Sequence, residues 1–299
     1  MALARPARAV TTPSARNRTE PPSWRMIGSA FRRGAFFIGG RMRFVLTLVF
    51  FVLSALPAQA LDPASTGVVL LHGKWSKPEQ MKPVQQSLGA AGFTVVAPQM
   101  PWSAVRLYDR SFDQAMDEID TAVAGLRANG VKRVVVVGQS MGANAAWNYA
   151  TLGRGLAAVV LIAPGHLPDL GHLRDSAAAD VFQARQMLAS GDGDKVMPIT
   201  DYNTGNRTRP LSMPARVFLS YFAPDGPAAM GERAGQIRER NILWLAPKQD
   251  PITRIFAEQV APKLPAAIVF SRQDMDSDHL GAPAAAAEPL TQWLLALGD

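Results

Sequence analysis

The sequence contains no cysteine and only four histidines among its 299 residues. The absence of cysteine excludes disulfides, cysteine-ligated metal sites and thiol catalysis. There is also no internal repeat, which excludes the solenoid and propeller architectures that are built from repeats. Apolar residues make up 48% of the chain, so a globular protein with a sizeable core is expected.

The positive charge of the chain is confined to its first sixty residues. Residues 1–60 carry nine arginines and one acidic residue, Glu20, and account for a net charge of +8. Residues 61–299 carry 22 basic and 23 acidic side chains, a net charge of −1. Because this larger part is neutral, no basic face is implied and nucleic acid is not an expected partner.

Residues 42–60 have the pattern of a secretory signal peptide. Arg41 and Arg43 flank its start, an apolar run covers residues 44–56, and Ala58-Gln59-Ala60 supplies small residues before a cleavage point. The apolar run is shorter than the roughly 20 residues of a membrane-spanning helix. An uncleaved anchor is therefore the less favoured alternative, and no stable membrane anchor is expected after cleavage.

Residues 1–41 are rich in arginine, proline and serine and show no periodic apolar pattern. We expect this stretch to be disordered, or to lie upstream of a true start at Met42 or Met26. The folded domain is then predicted to cover residues 61–299.

Apolar runs alternate with amphipathic stretches along this domain. Strands are predicted at residues 66–73, 91–101, 131–137, 156–164, 241–247 and 266–271. Helices are predicted at residues 78–90, 112–128, 141–153 and 289–298. Strands that are apolar on both sides and alternate with helices indicate an α/β fold, with a parallel sheet covered on both faces. Residues 165–240 are rich in Gly, Asp, Pro and Arg and show no clear strand, so we interpret them as a cap or lid inserted between two strands.

The segment VVVVGQSMGANAAW, residues 134–147, places Ser140 between a predicted strand and a predicted helix. A turn this tight needs small residues two positions before and after the serine, and Gly138 and Gly142 meet that need. The alternative reading is an ordinary loop serine, which the flanking strand and helix disfavour. Ser140 is therefore the candidate nucleophile, and the amide of Met141 a candidate oxyanion donor.

The segment LLHGKWS, residues 70–76, follows the first predicted strand. A His-Gly pair here marks a loop whose backbone approaches the reacting oxygen closely. We assign the second oxyanion donor to the amide of Lys74, with the amide of Trp75 as the alternative. His72 precedes the serine and is expected to have a structural role.

Asp250 and His279 follow the last two predicted strands, so their side chains should lie at the same sheet edge as Ser140. His279 is the candidate general base, and Asp250 the acid that orients it. Asp274, Asp276 and Asp278 lie nearer to His279 in sequence. We prefer Asp250 because an adjacent strand end fixes its position independently.

Several further residues are candidates for the substrate pocket. Trp75 lies in the oxyanion loop, and Trp102, Arg106 and Tyr108 follow another strand end. The alternative for the last three is a solvated loop and helix start. The segment YFAPDGPAAM, residues 221–230, is expected to place aromatic surface over the site.

The three motifs together resemble the α/β-hydrolase family over residues 66–299, with residues 165–240 where the cap of that family usually lies. The resemblance implies a mostly parallel sheet of about eight strands with helices on both faces. One departure is Lys248, because family members often have glycine two residues before the acid, and this leaves the shape of that turn open.

These features predict an exported serine hydrolase that cleaves an ester or thioester through an acyl-enzyme intermediate. Its expected partner is a small-molecule or acyl substrate, and the mechanism needs no metal or other cofactor. Two alternatives are an amidase or peptidase with the same triad, and a non-catalytic binding protein on the same fold. The sequence does not indicate the oligomeric state.

The exported, periplasmic or secreted, product is predicted to begin at Leu61, because cleavage is expected between Ala60 and Leu61. N-terminal sequencing of the exported protein tests this. An exported product that retains residues upstream of Met42 would contradict it.

Overall fold

The computed structural model describes residues 60–298. The segment 1–41 and all but the last residue of the predicted signal peptide lie outside the described residues. Within residues 60–298, no helix is both long enough and apolar enough to cross a membrane.

Eight strands are present in the described part of the chain, and six of them form one sheet. In chain order the strands are β1 (Thr66–Leu71), β2 (Thr94–Val96), β3 (Arg133–Ser140), β4 (Ala158–Pro164), β5 (Val196–Asn203), β6 (Arg207–Pro214), β7 (Asn241–Pro247) and β8 (Val269–Met275). The main sheet has the order β2-β1-β3-β4-β7-β8, and every neighbouring pair is parallel. The α/β prediction is confirmed, but the expected eight-stranded sheet has six strands among the described residues.

Helices cover both faces of the main sheet. In chain order they are α1 (Lys82–Ala90), α2 (Phe112–Ala128), α3 (Met141–Tyr149), α4 (Gly171–Ala189), α5 (Ala215–Phe222), α6 (Met230–Arg233), α7 (Ile252–Gln259) and α8 (Ala282–Ala296). Val68 and Leu70 of β1 pack on the side of α1 and α8, whereas Val69 and Leu71 pack on the side of α2, α3 and α7. This two-sided burial explains why β1, β4 and β7 are apolar at nearly every position instead of at alternate ones. The edge strand β8 is largely exposed and polar over residues 271–274.

The chain between β4 and β7 contains α4, α5 and α6 and an antiparallel hairpin of β5 and β6. The expectation that residues 165–240 contain no clear strand is therefore wrong. Pro198 and Pro210 lie inside these strands and obscured them, since proline is unfavourable in a central strand. Here each strand has one unpaired edge, where the missing N–H of proline costs little. A three-residue turn, with Gly205 and Asn206 at positive φ, joins the strands.

The last helix begins at Ala282 and contains Pro289 in its interior. The sequence pattern predicts this helix only from Pro289 onward, although proline is favourable in the first turn of a helix and not in its interior. Pro283 occupies that favourable position instead. The residues between the two prolines are mostly alanine, which has the highest helix propensity of any residue type. This stretch extends the helix toward its N-terminus.

The turn from β3 into α3 is so tight that its glycines cannot carry a side chain. A Cβ on Gly138 would lie 2.0 Å from the carbonyl oxygen of Gly142, and a Cβ on Gly142 would lie 2.2 Å from the carbonyl oxygen of Leu71. Ser140 between them has φ 55° and ψ −115°, a conformation that costs non-glycine residues about 1–3 kcal/mol. The start of α3 is therefore pressed directly against the sheet.

Gly138→Ala is predicted to lower the free energy of unfolding by about 3 kcal/mol, because the new methyl group meets backbone atoms that cannot move independently. Urea denaturation measures the change. Gly125→Ala in α2 is the matched control, since a Cβ there meets nothing within 4 Å and should stabilise the helix by about 1 kcal/mol. Equal stability of Gly138→Ala and wild type would contradict the steric argument.

Candidate active site

Ser140, Asp250 and His279 meet at the carboxyl edge of the main sheet. Ser140 is the last residue of β3, Asp250 lies three residues after β7, and His279 lies four residues after β8. All three strands run in the same direction, so the loops that follow them collect at one edge.

The three side chains form a continuous chain of hydrogen bonds. His279 Nδ1 lies 2.6 Å from Asp250 Oδ2, and His279 Nε2 lies 2.8 Å from Ser140 Oγ. Because a carboxylate oxygen can only accept, Nδ1 carries the hydrogen and donates to Asp250. Nε2 then holds a free lone pair and accepts from the Ser140 hydroxyl. All three residues are buried, which shields the chain from water.

The second oxygen of Asp250 is also occupied, since Oδ1 accepts a hydrogen bond of 3.0 Å from the backbone N–H of Ile252. The competing aspartates are exposed and make other contacts. Asp274 pairs with Arg272, Asp276 accepts from Gln249, and Asp278 accepts from the backbone N–H of Gly281. Among the described residues, Asp250 is thus the carboxylate that contacts the His279 ring.

Gly165 leaves the space in front of the serine free. A Cβ at this position would lie 2.9 Å from Ser140 Oγ and 3.4 Å from His279 Cε1. The backbone N–H of Gly165 donates to the carbonyl oxygen of Ser140 at 3.2 Å, which fixes this close approach. Sequence reasoning missed Gly165, although a glycine directly after the Pro164 strand end was an available signal.

The loop after β1 lies against the nucleophile turn, because a Cβ on Gly73 would be 3.3 Å from Ser140 Cβ. Among the described residues, the N–H of Lys74 has no acceptor, so it is available to a ligand. The N–H of Trp75 donates to the carbonyl oxygen of Trp102 at 3.0 Å, so the alternative oxyanion donor is already occupied. The N–H of Met141 is at the first position of α3, where helix geometry supplies no acceptor.

Both ring nitrogens of His72 make hydrogen bonds to the backbone around this loop. Its Nε2 accepts from the backbone N–H of Met100 at 3.0 Å, so its Nδ1 carries the hydrogen and donates to the carbonyl oxygen of Gly73 at 2.8 Å. Burial lowers the pKa of His72, so the ring stays neutral. Both contacts hold the backbone of the loop, which agrees with the structural role expected for this histidine.

The side chain of Lys74 reaches into the chain between β4 and β7, residues 165–240, which we call the inserted segment. Its Nζ donates to Asp201 Oδ1 and to the carbonyl oxygen of Tyr202, each at 2.7 Å. Both residues lie on β5, and the Asp201 side chain has no exposed surface. Desolvation lowers the pKa of Lys74, and the charge of Asp201 opposes that shift.

A cavity of about 300 Å³ opens onto Ser140. One side is apolar and is formed by residues of the inserted segment and of α7 and the turn before it: Leu167, Leu170, Leu173, Pro251, Ile252 and Ile255. The other lining residues are Ser140, residues 202–206 at the tip of the hairpin, and Lys74, His166 and His172. The apolar lining beside Ser140 suits a substrate with a hydrocarbon part.

None of the four residues predicted for the substrate pocket lines this cavity. Trp102 is fully buried and donates through Nε1 to the carbonyl oxygen of His72, and Arg106 is held by Glu118 and Asp109. The side chains of Trp75 and Tyr108 point instead to the Asp201 carboxylate. These residues follow strand ends, as expected, but Trp75 and Tyr108 are tied to the hairpin through Asp201, and Trp102 and Arg106 contact other parts of the core and of α2.

The aromatic residues at the start of segment 221–230 are also buried and do not line the cavity. Tyr221 packs edge-on against Tyr108 and Phe112, and Phe222 packs parallel to Phe218. They form the packing beneath the hairpin. The apolar wall was missed because its residues come from two segments that are distant in sequence, residues 167–173 and 251–255, and only the fold brings them together.

His166 has an unusual environment at the cavity wall. It has φ 58°, and its Nε2 donates to the carbonyl oxygen of Tyr221 at 2.7 Å. Its Nδ1 is buried and has no partner among the described residues. Burial lowers the pKa of His166 to well below its ordinary value, and the positive charge of Lys74 adds to this shift. His166 is therefore a neutral polar group in the cavity wall.

The comparisons with known proteins agree with this geometry. A family model described as the alpha/beta hydrolase family matches residues 68–298. A search of curated protein sequences gave no match.

Several solved structures share the fold at low sequence identity. A metagenome-derived lipolytic enzyme has a TM-score of 0.52 at 16% identity, covering 80% of this chain and 98% of its own. A monoacylglycerol lipase from Paleococcus ferrophilus has a TM-score of 0.52 at 16% identity, covering 79% and 96%. Est1E from Butyrivibrio proteoclasticus, solved with ferulic acid bound, has a TM-score of 0.53 at 14% identity, covering 79% and 90%.

Proposed function

Because the chain belongs to the alpha/beta hydrolase family, we propose that it is a serine hydrolase that cleaves a carboxylic ester or thioester through an acyl-enzyme intermediate. The observation that carries this proposal is the hydrogen-bonded chain of Ser140, His279 and Asp250, with Ser140 lining a cavity that has an apolar wall. That the protein is a hydrolase follows from its family. The substrate bond and the roles of the residues are the proposal.

Acylation begins when Ser140 Oγ attacks the carbonyl carbon of the ester while its proton passes to His279 Nε2. Asp250 stabilises the imidazolium that forms and holds the ring in the required tautomer. His279 then gives the proton to the leaving alcohol or thiol as the bond from the carbonyl carbon to the leaving oxygen or sulfur breaks. In the second half, His279 removes a proton from water, whose oxygen attacks the carbonyl carbon of the acyl-serine. The bond from that carbon to Ser140 Oγ then breaks, His279 gives the proton back to Oγ, and the acid is released.

The negative charge on the carbonyl oxygen needs hydrogen-bond donors that are in place before the reaction. We assign them to the backbone N–H groups of Met141 and Lys74, which flank Ser140 on the helix side and on the loop side. A donor of this kind accelerates the reaction by about 10²- to 10³-fold. The close contact between Gly73 and Ser140 supports the assignment of Lys74.

The apolar wall of the cavity supports an acyl group or alcohol with a substantial hydrocarbon part. The structural neighbours include lipolytic enzymes and a monoacylglycerol lipase, which supports ester chemistry over amide chemistry. The leader predicted from the sequence would place the reaction outside the cytoplasm.

Ser140→Ala is predicted to remove nearly all ester hydrolysis while the protein stays folded. A series of p-nitrophenyl esters of increasing acyl length, with the matching p-nitroanilides, measures the rate and separates esterase from amidase activity. Loss of the nucleophile should lower kcat by about 10⁴- to 10⁶-fold. A fluorophosphonate should label wild-type Ser140 and fail to label the variant.

Circular dichroism and the unfolding midpoint confirm that the variant is folded. A folded Ser140→Ala protein that hydrolyses the esters at the wild-type rate would overturn the mechanism. Absence of any activity or labelling in the wild type would favour a binding protein on this fold.

Asp250→Asn is predicted to lower kcat by about 10⁴-fold, because the amide can donate to Nδ1 and so favours the wrong tautomer of His279. Asp276→Asn is the matched control, since Asp276 is exposed and accepts a hydrogen bond from Gln249. Its rate should stay within about twofold of wild type. If the two variants lost similar activity, or Asp276→Asn lost more, the assignment of the acid would be wrong.

A further inference from the structure

The carboxylate of Asp201 joins the inserted segment to the loop that carries the proposed oxyanion donor. Its Oδ1 accepts from Lys74 Nζ at 2.7 Å. Its Oδ2 accepts from Trp75 Nε1 at 2.7 Å and from the Tyr108 hydroxyl at 2.6 Å. The carboxylate is completely buried, so these three donors replace water around its charge.

Two of the three donors are consecutive residues of the loop after β1, residues 72–76, which carries the proposed oxyanion donor and is called the oxyanion loop below. Lys74 and Trp75 follow β1, whereas Asp201 is more than 120 residues later, on β5 of the hairpin. Both side chains converge on the same carboxylate, so the backbone between them cannot rotate without breaking a bond to a buried charge. Hydrogen bonds to a buried charge are costly to lose, because the charge then has no compensation.

The loop needs this restraint, because its backbone conformation is unfavourable. Trp75 has φ 56°, a left-handed conformation that bulky residues rarely adopt. On the other side of the Lys74 amide, the N–H of Gly73 is fixed by Gln80 Oε1 at 2.7 Å. The Lys74 peptide is thus held from the core on one side and from the hairpin on the other.

We propose that Asp201 is a positioning residue for the oxyanion site: the hairpin of β5 and β6 holds the Lys74 amide in place through the Lys74 and Trp75 side chains. This inference rests on the proposed function. It makes the hairpin necessary for the rate of the chemical step, in addition to shaping the cavity.

Asp201→Asn tests the proposal, because the amide replaces one accepting oxygen with an N–H group. If that group faces Trp75 Nε1, which can only donate, the contact is lost. With p-nitrophenyl esters, kcat should fall by about 10- to 100-fold, while KM changes by less than about threefold. The Ki of a trifluoromethyl ketone, which forms an oxyanion when Ser140 adds to it, should rise in the same proportion as kcat/KM falls.

Two further variants separate positioning from stability. Lys74→Met combined with Asp201→Asn removes both buried charges and should recover much of the unfolding midpoint lost in Asp201→Asn. Its kcat should remain below wild type, because the contact of the Lys74 side chain is lost even where the amide oxygen of the new side chain still accepts from Trp75 Nε1. Thr208→Ala is the control, since Thr208 is exposed on β6 and lies opposite Tyr202 in the hairpin; its kcat, KM and Ki should match wild type.

Failure of the positioning role can be distinguished from failure of the proposed function. The proposed function fails if wild-type hydrolysis does not depend on Ser140. If that hydrolysis is present, wild-type kcat and Ki in a folded Asp201→Asn protein would overturn the positioning role. A doubly substituted protein that regains both stability and kcat would also overturn it. If Asp201→Asn does not fold, the doubly substituted protein alone decides, through its kcat and its Ki.

Discussion

The site depends on the contact between the start of α3 and the ends of β1 and β3. Gly138 and Gly142 allow backbone atoms to approach more closely than any side chain would permit. This contact forces Ser140 into its strained conformation and brings its hydroxyl to the sheet edge, within reach of His279. The same approach brings the loop after β1 next to the serine, so one steric constraint places both the nucleophile and the proposed oxyanion donor.

Helix α3 also holds the inserted segment at both of its ends. Asn144 Nδ2 donates to the carbonyl oxygens of His166 and Ala228, at 2.6 and 2.8 Å. Trp147 Nε1 donates to the carbonyl oxygen of Met230 at 3.1 Å. Asp201 provides a third attachment through its bonds to Lys74, Trp75 and Tyr108. Buried hydrogen bonds therefore fix the segment to the core at three places. The inserted segment is therefore an integral part of this structure.

The features that the sequence predicted well are those with a short-range physical cause. Continuous apolar strands favour a parallel sheet, the glycines around Ser140 favour a tight turn, and Asp250 and His279 follow neighbouring strands; the structure has this geometry. The catalytic roles of these residues remain predictions.

The features that the sequence did not predict depend on contacts between distant segments. The partners of Trp75 and Tyr108 lie on β5, more than 90 residues later. Nothing local marks Asp201 as buried, because an isolated aspartate is usually exposed. The hairpin was obscured by Pro198 and Pro210, although the turn residues Gly205 and Asn206 did carry a signal for it. Until the hairpin is placed, the residues it covers look like pocket residues, and the leucines that line the cavity look like ordinary loop residues.

The stem and the turn of the hairpin have different roles. Its stem contains Asp201, tied to the oxyanion loop, and its turn, residues 204–206, forms part of the cavity wall. A surface turn tolerates changes in length at small entropic cost, whereas the buried stem does not tolerate the loss of its charge. Insertions or deletions in the turn would therefore change the space available to a substrate without disturbing the contacts of Asp201 with Lys74 and Trp75. This geometry gives a lineage of such proteins a short, replaceable segment through which substrate range can evolve.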